Sequence, residues 1–212
     1  MTDPTPLKVI LGAGEQRWPG WIPTQQEDLD LRDPASFARW FGARRADAFL
    51  CEHVWEHLTE TEGRAAARLC HAYLKPGGWL RCAVPDAHFA DPDYQRTVQV
   101  GGPGPADHPA ADHRIVYDHR LLADVFASAG FEVRLLEYCD DAGQFHAGDW
   151  DLDSGPIYRS LRLDHRNRGG HLGFVSLIVD AKKGGGREGA GPERKRSERQ
   201  PPQLRTNLLR SV

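Results

Sequence analysis

The chain has 212 residues, a length that suits one compact domain with a substantial hydrophobic core. Hydrophobic residues make up 40% and charged residues 27%, a composition that excludes a disordered or fibrous protein. The net charge is −3, but the segment 184–212 alone holds seven Lys or Arg and three Glu, so the rest of the chain is acidic. An acidic body argues against nucleic acid as the main substrate.

The clearest boundary in the sequence lies at residue 184. The segment 184–212 is dominated by Gly, Arg, Glu, Pro and Gln, which cannot bury enough apolar surface to offset the entropy of ordering. We therefore expect one domain at residues 1–183 and a disordered basic tail. No apolar run has the length that spans a bilayer, and the first residues lack the features of a signal peptide, so a cytoplasmic protein without membrane contact is predicted.

The first part of the domain begins with strands. Apolar runs at residues 7–11 and 21–22 predict two strands, and a glycine turn at residues 12–14 ends the first. Only nine residues separate the two runs, whereas a helical crossover needs a dozen or more. The first crossover is therefore predicted to be shortened and to lack its usual helix. An Asp-Pro pair at residues 33–34 then predicts the start of a helix that Gly42 ends.

The later part of the domain alternates between strands and helices. Thr59 and Glu62 form a capping box that predicts a second helix, and Asp118 opens another. Further strands are predicted at residues 47–51, 79–84, 131–136 and 174–179. This alternation predicts an α/β fold with a mainly parallel sheet and helices on both faces.

Residues 85–117, which we call the lid segment, are rich in Pro, Gly, Asp and His and show no sustained apolar period. Such a long irregular segment in a compact domain is typical of a functional loop. In open α/β sheets, ligands bind beyond the carboxyl ends of the strands, where the strand order reverses. The turns at residues 12–14, 52–54 and 85–86 are therefore predicted to converge on one rim, beneath the lid segment.

The residues from His53 to His57 allow two incompatible interpretations. As an isolated string they read H-x-x-E-H, the pattern of an inverted zinc-peptidase helix in which Glu56 acts on a bound water. However, His53 directly follows a predicted strand, and the best helix start, at Thr59, comes only after His57. The string is therefore predicted to be a strand end at a nucleotide-type pocket, with no metal ligands, and a zinc hydrolase is the weaker alternative.

Several motifs, in this order, resemble class I S-adenosylmethionine-dependent methyltransferases, in particular a small subfamily similar to methyltransferase type 11. The most specific are EHVWEHL at residues 52–58, LKPGGWLR at residues 74–81 and VPD at residues 84–86. A Leu-Gly-x-Gly opening and PGWI at residues 19–22 also resemble this subfamily. The resemblance covers residues 7–183 and implies a Rossmann-like, doubly wound sheet with an antiparallel C-terminal strand, and S-adenosylmethionine as the cofactor.

The resemblance also implies roles for individual residues. The first glycine turn would let the backbone approach the methionine part of the cofactor. The acidic residue that normally binds the ribose is replaced here, and the candidates are Gln25, Gln26 and Glu27. Asp30 is placed to meet the adenine amino group. The cofactor-binding residues predicted in this way are Gly12, Ala13, Gly14, Glu27, Asp30, Glu52, His53 and Val54.

The predicted function is methyl transfer from S-adenosylmethionine to an unidentified small-molecule acceptor. A base helps such a transfer when the acceptor carries a proton. The candidates are His53, Glu56 and Asp86 at the rim, with His113 and His119 on the lid, although each of them could instead serve packing. A non-catalytic protein that keeps the fold and binds a partner is the second interpretation.

Overall fold

The computed structural model describes residues 5–185, so residues 186–212 of the predicted tail lie outside the described residues. One seven-stranded sheet has the spatial order β2-β1-β3-β4-β7-β5-β6. The strands are β1 (Lys8–Leu11), β2 (Trp21–Pro23), β3 (Ala46–Glu52), β4 (Leu74–Pro85), β5 (Phe131–Cys139), β6 (Phe145–Ala147) and β7 (Ser176–Lys183). The helices are α1 (Pro34–Phe41), α2 (Glu60–Tyr73), α3 (Pro92–Val98) and α4 (His119–Ala127).

The strand directions confirm the predicted sheet. Strands β1 to β4 pair in parallel, while β7 runs antiparallel between β4 and β5, and β6 is antiparallel to β5. Strands β1 to β5 therefore point one way, and β6 and the C-terminal strand β7 point the other. Among the described residues, no helix combines the length and the apolar character needed to cross a membrane.

The predicted helix starts are confirmed in atomic detail. Asp33 accepts hydrogen bonds from the first backbone N–H groups of α1, and Asp118 does the same for α4. At the start of α2, the Thr59 side chain accepts from the backbone of Glu62 while the Glu62 carboxylate accepts from the backbone of Thr59. These caps satisfy backbone donors that a helix cannot satisfy internally, and so they fix where each helix begins.

One face of the sheet is covered by helices. Side chains alternate between the two faces along a strand, so Val9 and Phe49 share this face. They form one buried cluster with Phe37 of α1, Ala66 of α2 and Phe126 of α4. This face holds the larger part of the hydrophobic core.

The opposite face is covered by irregular chain. Its buried strand residues include Ile10 and Leu50, and these pack with Trp150 and Ile157 from the segment between β6 and β7. None of the described residues in this cluster belongs to a helix. The expectation of helices on both faces is therefore wrong for the described chain, because the first crossover between Leu11 and Trp21 is too short to contain one.

The lid segment is less irregular than predicted, because it contains α3. Asp91 caps this helix and a proline occupies its first turn, the same Asp-Pro signal that starts α1. The buried Tyr94 hydroxyl donates to the carbonyl of Val175 and accepts from the backbone N–H of Asp86. The helix thus fixes the lid segment to the ends of β4 and β7.

A buried arginine fastens the irregular cover to the sheet. Arg81 on β4 is 2% exposed and donates to both carboxylate oxygens of Asp180 on β7, at 2.7 and 2.9 Å. Its remaining terminal nitrogen donates to the carbonyls of Asp151 and Gly155, at 2.8 and 2.7 Å. Its guanidinium also lies 4.7 Å from the ring centre of Trp150. One side chain therefore joins two strands and the segment that covers them.

We predict that Arg81→Leu lowers the free energy of unfolding by about 3 kcal/mol, since the change leaves a carboxylate and two carbonyls without their donor. Urea unfolding followed by tryptophan fluorescence measures this loss. The matched control is Arg96→Leu, which removes an exposed ion pair with Asp93 and should change stability little. Equal losses in the two variants would contradict the anchoring role of Arg81.

Candidate functional site

The strand order reverses between β1 and β3, and the carboxyl ends of β1, β3 and β4 meet at one edge of the sheet. Gly12, His53 and Asp86 follow these three strands, as predicted. Ser176, the first residue of the antiparallel strand β7, pairs with Pro85 at the same edge. This is the position at which open α/β sheets bind ligands.

Two cavities meet at Gly12. The larger, which we call the glycine-turn cavity, has a volume of about 510 Å³ and is lined by residues 12–16, Glu52, His53, Tyr158 and Arg159. The smaller, which we call the Asp30 cavity, has a volume of about 150 Å³. Its lining includes Gly12, Gln26, Asp30, Leu31, Val54 and His57. Both cavities are lined by Gly12, and their combined volume lies in the range of small-molecule pockets.

Glycine is required at position 12 for two reasons. Its φ of 60° lies in the left-handed region, and a Cβ added there would lie 2.6 Å from Cγ2 of Val54. Gly14 also has a positive φ, of 51°, but a Cβ there would meet no atom within 4 Å. At these two glycines the backbone faces the cavity without a side chain. A cofactor can therefore approach the main chain closely at this turn.

Of the three candidates for the place of the usual ribose-binding acid, Gln25 contacts the glycine turn. The Gln25 side-chain amide donates to the carbonyl of Gly14 at 2.8 Å and accepts from its N–H at 3.1 Å. Gln25 therefore braces the glycine turn. Among the other two candidates, Gln26 lines the Asp30 cavity, whereas Glu27 is exposed and lines neither cavity.

Asp30 presents an oriented carboxylate to the smaller cavity. Arg32 donates to both of its oxygens, at 3.1 and 3.0 Å, and Gln26 donates to Oδ2 at 3.2 Å. The hydrogen bonds from Arg32 outweigh the effect of partial burial and lower the pKa of Asp30 below its usual value. The side chain is thus held as an anion at the place where the cofactor's adenosine was predicted.

Glu52 lines the glycine-turn cavity, but its carboxylate is already engaged. It accepts hydrogen bonds from the backbone N–H groups of Tyr158 and Arg159, both at 2.8 Å, and from the Gln16 side chain at 3.1 Å. Glu52 therefore anchors the segment that brings Tyr158 and Arg159 to this cavity. Tyr158 and Arg159 were missed in the sequence because they lie more than a hundred residues from Glu52 and carry no local motif.

His53 makes a hydrogen bond through one ring nitrogen and approaches a carboxylate with the other. Its φ of 55° is unusual for a residue with a side chain and marks a sharp change of direction at the end of β3. Nε2 lies 2.9 Å from the Ser176 hydroxyl, which itself donates to the carbonyl of Arg159. The hydroxyl proton is thus used, so Nε2 is the donor to Ser176. Nδ1 lies 3.1 Å from Oε1 of Glu56.

Glu56 is fully buried, and neither of its carboxylate oxygens has an aligned hydrogen-bond partner. Burial by itself would raise the pKa of this carboxyl, but the neighbouring His53 and His57 outweigh it and lower the pKa below its usual value. Glu56 lines neither the glycine-turn cavity nor the Asp30 cavity.

Asp86 is also fully buried and ties two strands together. Its carboxylate accepts from the backbone N–H of Cys139, at the end of β5, and from that of His88. Burial raises the pKa of this carboxyl. Of the three residues predicted as catalytic, only His53 therefore lines either cavity at Gly12.

The structure lacks the helix that the zinc-peptidase interpretation of residues 53–57 requires. Trp55–His57 form a single 3₁₀ turn rather than the start of a regular helix. His53 turns to Ser176, whereas Nδ1 of His57 lies 2.7 Å from the Asp112 carboxylate. The two imidazoles therefore do not stand one turn apart on a common helix face, which that metal site needs.

A family model described as a methyltransferase domain matches residues 7–136, which is more than half of the chain. The chain belongs to this methyltransferase family. Membership of this family supports methyl transfer, and the cofactor that the sequence resemblance implies is S-adenosylmethionine. The bare backbone at Gly12 and Gly14 and the oriented Asp30 carboxylate fit that cofactor.

Solved methyltransferase structures are similar at low sequence identity. An O-methyltransferase family protein from Burkholderia thailandensis is 11% identical, with a TM-score of 0.49, and the match covers 85% of this chain and 52% of that one. A SAM-dependent methyltransferase from Archaeoglobus fulgidus is 13% identical, with a TM-score of 0.47, over 84% and 86% of the two chains. A possible histamine N-methyltransferase from Thermotoga maritima is 14% identical, with a TM-score of 0.48, over 85% and 83%. No curated protein sequence matches the chain.

We predict that Gly12→Ala weakens binding of S-adenosylhomocysteine, the demethylated cofactor, by about tenfold or more, because the new Cβ pushes Val54 into the site. Titration calorimetry measures this loss. The matched control is Gly20→Ala: Gly20 also has a positive φ, of 78°, but its Cβ would meet nothing within 4 Å. Both variants carry the backbone strain, so equal affinities would show that the cofactor does not lie at Gly12.

Proposed function

We propose that this methyltransferase acts on a small-molecule acceptor held between the lid segment and the start of β7. The observation that carries the proposal is a third cavity of about 240 Å³, which we call the acceptor cavity. Its lining includes Asp91 and Tyr94 from the lid side, and Arg166 and Phe174 from the chain before β7. Its concave shape and its lining of aromatic and charged side chains suit part of a small molecule.

Aromatic side chains connect this cavity to the rim. The ring of Phe174 lies 5.9 Å from the ring of His53 and 5.0 Å from that of Tyr94, measured between centroids. The Arg166 guanidinium lies 3.6 Å from the centre of the Phe174 ring. An acceptor beside Phe174 would therefore be one aromatic ring away from the end of β3, where the methyl group is expected.

The cofactor would lie across Gly12, with its methionine part in the glycine-turn cavity and its adenosine part in the Asp30 cavity. Arg159 supports the first assignment, because its guanidinium lies at that cavity, 3.8 Å from Glu52, and is free to meet a carboxylate on its solvent side. The Asp30 carboxylate and the Gln26 amide support the second, since they suit the hydroxyl and amino groups of adenosine.

The bound cofactor supplies an activated methyl group on a sulfonium. The contribution of this chain is to bind both reactants, to orient them in line and to exclude water, which supplies much of the acceleration in such transfers. His53 then acts as a positioning residue, because its contacts to Ser176 and Glu56 hold the rim between the cofactor and acceptor sides.

The test uses S-adenosylmethionine labelled on its methyl group, incubated with the enzyme and a cell extract that is then separated by size. We expect the label in the small-molecule fraction, because the proposed acceptor is a small molecule bound in the acceptor cavity. The variant Gly12→Ala is the control for label that arises without cofactor binding. Label confined to the protein or nucleic acid fraction would contradict the proposal.

A variant pair tests the location of the acceptor. Phe174→Ala should lower kcat/KM for the acceptor, followed as formation of labelled product, by about tenfold or more, because the aromatic wall is lost. The affinity for S-adenosylhomocysteine should stay unchanged. The matched control is Phe89→Ala, which also removes a ring packed against Tyr94 but does not line the cavity. Equal effects on kcat/KM would place the acceptor elsewhere.

A further inference from the structure

A cluster of potential metal ligands joins the turn after β3 to the end of the lid segment. One ligand atom from each of Glu56, His57 and His113 lies within 4.8 Å of the other two. We propose that these three side chains bind a transition-metal ion of the zinc class. The site differs from the zinc-peptidase pattern considered for the sequence, because His113 takes the place of His53 and comes from a distant part of the chain.

Both histidines are oriented as metal ligands are. Nδ1 of His113 lies 2.9 Å from the carbonyl of Val98, which can only accept, so this nitrogen carries the proton and Nε2 carries the lone pair. Nδ1 of His57 lies 2.7 Å from the Asp112 carboxylate, which fixes the same tautomer. A histidine whose second nitrogen is held by a carboxylate or a carbonyl is the usual arrangement at protein metal sites.

Glu56 supplies the independent observation. It is 0% exposed, and both carboxylate oxygens lack an aligned hydrogen bond, although Nδ1 of His53 approaches Oε1 to 3.1 Å. Buried carboxylates are costly unless they are paired or coordinate a metal. A cation held between Glu56 and the two histidines would satisfy the carboxylate oxygen that His53 leaves without a partner.

The ligand set selects the class of ion. Two imidazole nitrogens and one carboxylate oxygen suit zinc and its transition-metal neighbours, whereas magnesium and calcium prefer sites built from oxygen alone. The ion has a path to the site, because His57 is partly exposed and lines the Asp30 cavity. Three protein ligands leave at least one coordination position for water or another ligand.

The ion would reinforce contacts that already hold the lid segment in place. The backbone N–H of Arg114 donates to the carbonyl of Glu56 at 2.8 Å, and Asp112 and Arg114 both line the Asp30 cavity. A metal bound to Glu56, His57 and His113 would therefore fix one wall of that cavity. The inference concerns metal binding alone and does not rest on the proposed acceptor.

The test is titration of the chelator-treated, full-length protein with Zn²⁺ by calorimetry, with Mg²⁺ as the comparison ion. We expect one Zn²⁺ per chain and no binding of Mg²⁺. Asp112→Ala, which removes the partner of His57 Nδ1, should weaken Zn²⁺ binding by about tenfold to hundredfold, and His57→Gln should weaken it further. A role of these residues in packing alone would leave Zn²⁺ affinity unaffected.

The control variant is His108→Gln, which changes a histidine of the same segment outside the cluster and should leave Zn²⁺ binding unchanged. A second group, His88, His119 and Asp141, offers a competing site, so His88→Gln is measured in parallel. Circular dichroism of every variant separates loss of binding from loss of folding. No Zn²⁺ binding by the wild-type protein would overturn the proposal, as would binding that survives His57→Gln but is lost in His88→Gln.

Discussion

The architecture depends on the length of the first crossover. The chain between β1 and β2 cannot hold a helix, so one face of the sheet needs another cover. The irregular segment around Trp150 and Ile157 provides it, fastened by the buried Arg81 in the middle of the sheet and by Glu52 at the rim. Because this cover ends at the rim, it brings Tyr158 and Arg159 to the glycine-turn cavity, in the absence of a helix on that face.

Three polar residues at the end of β3 contact three different parts of the chain. Glu52 holds the cover segment, His53 turns the backbone and contacts the start of β7, and Glu56 lies buried against the lid side. Each contact links the central strand to a distant part of the chain. The strand end therefore connects the glycine-turn cavity, the start of β7 and the histidines of the lid segment.

Local signals in the sequence predicted local structure well. The caps at Asp33 and Thr59 and the apolar runs of the central strands fixed those elements, because capping and periodicity are decided by neighbours in sequence. The Asp-Pro signal at Asp91 was equally strong but stood in a stretch without apolar periodicity, so α3 was missed. Arg159 at the cavity could not be predicted, since only the folded chain brings it there. His113 was a candidate from the sequence, but its position within reach of Glu56 and His57 comes from the fold.

The central claim is that the glycine turn and the cover segment together form one cofactor site. Hydrogen–deuterium exchange with and without S-adenosylhomocysteine tests it most directly, because it reports both segments in one measurement. The account predicts that the ligand slows exchange at residues 12–16, 26–31 and 158–159 together. Protection of the first two segments with unchanged exchange at residues 158–159 would contradict it, since the cover segment would then lie outside the site.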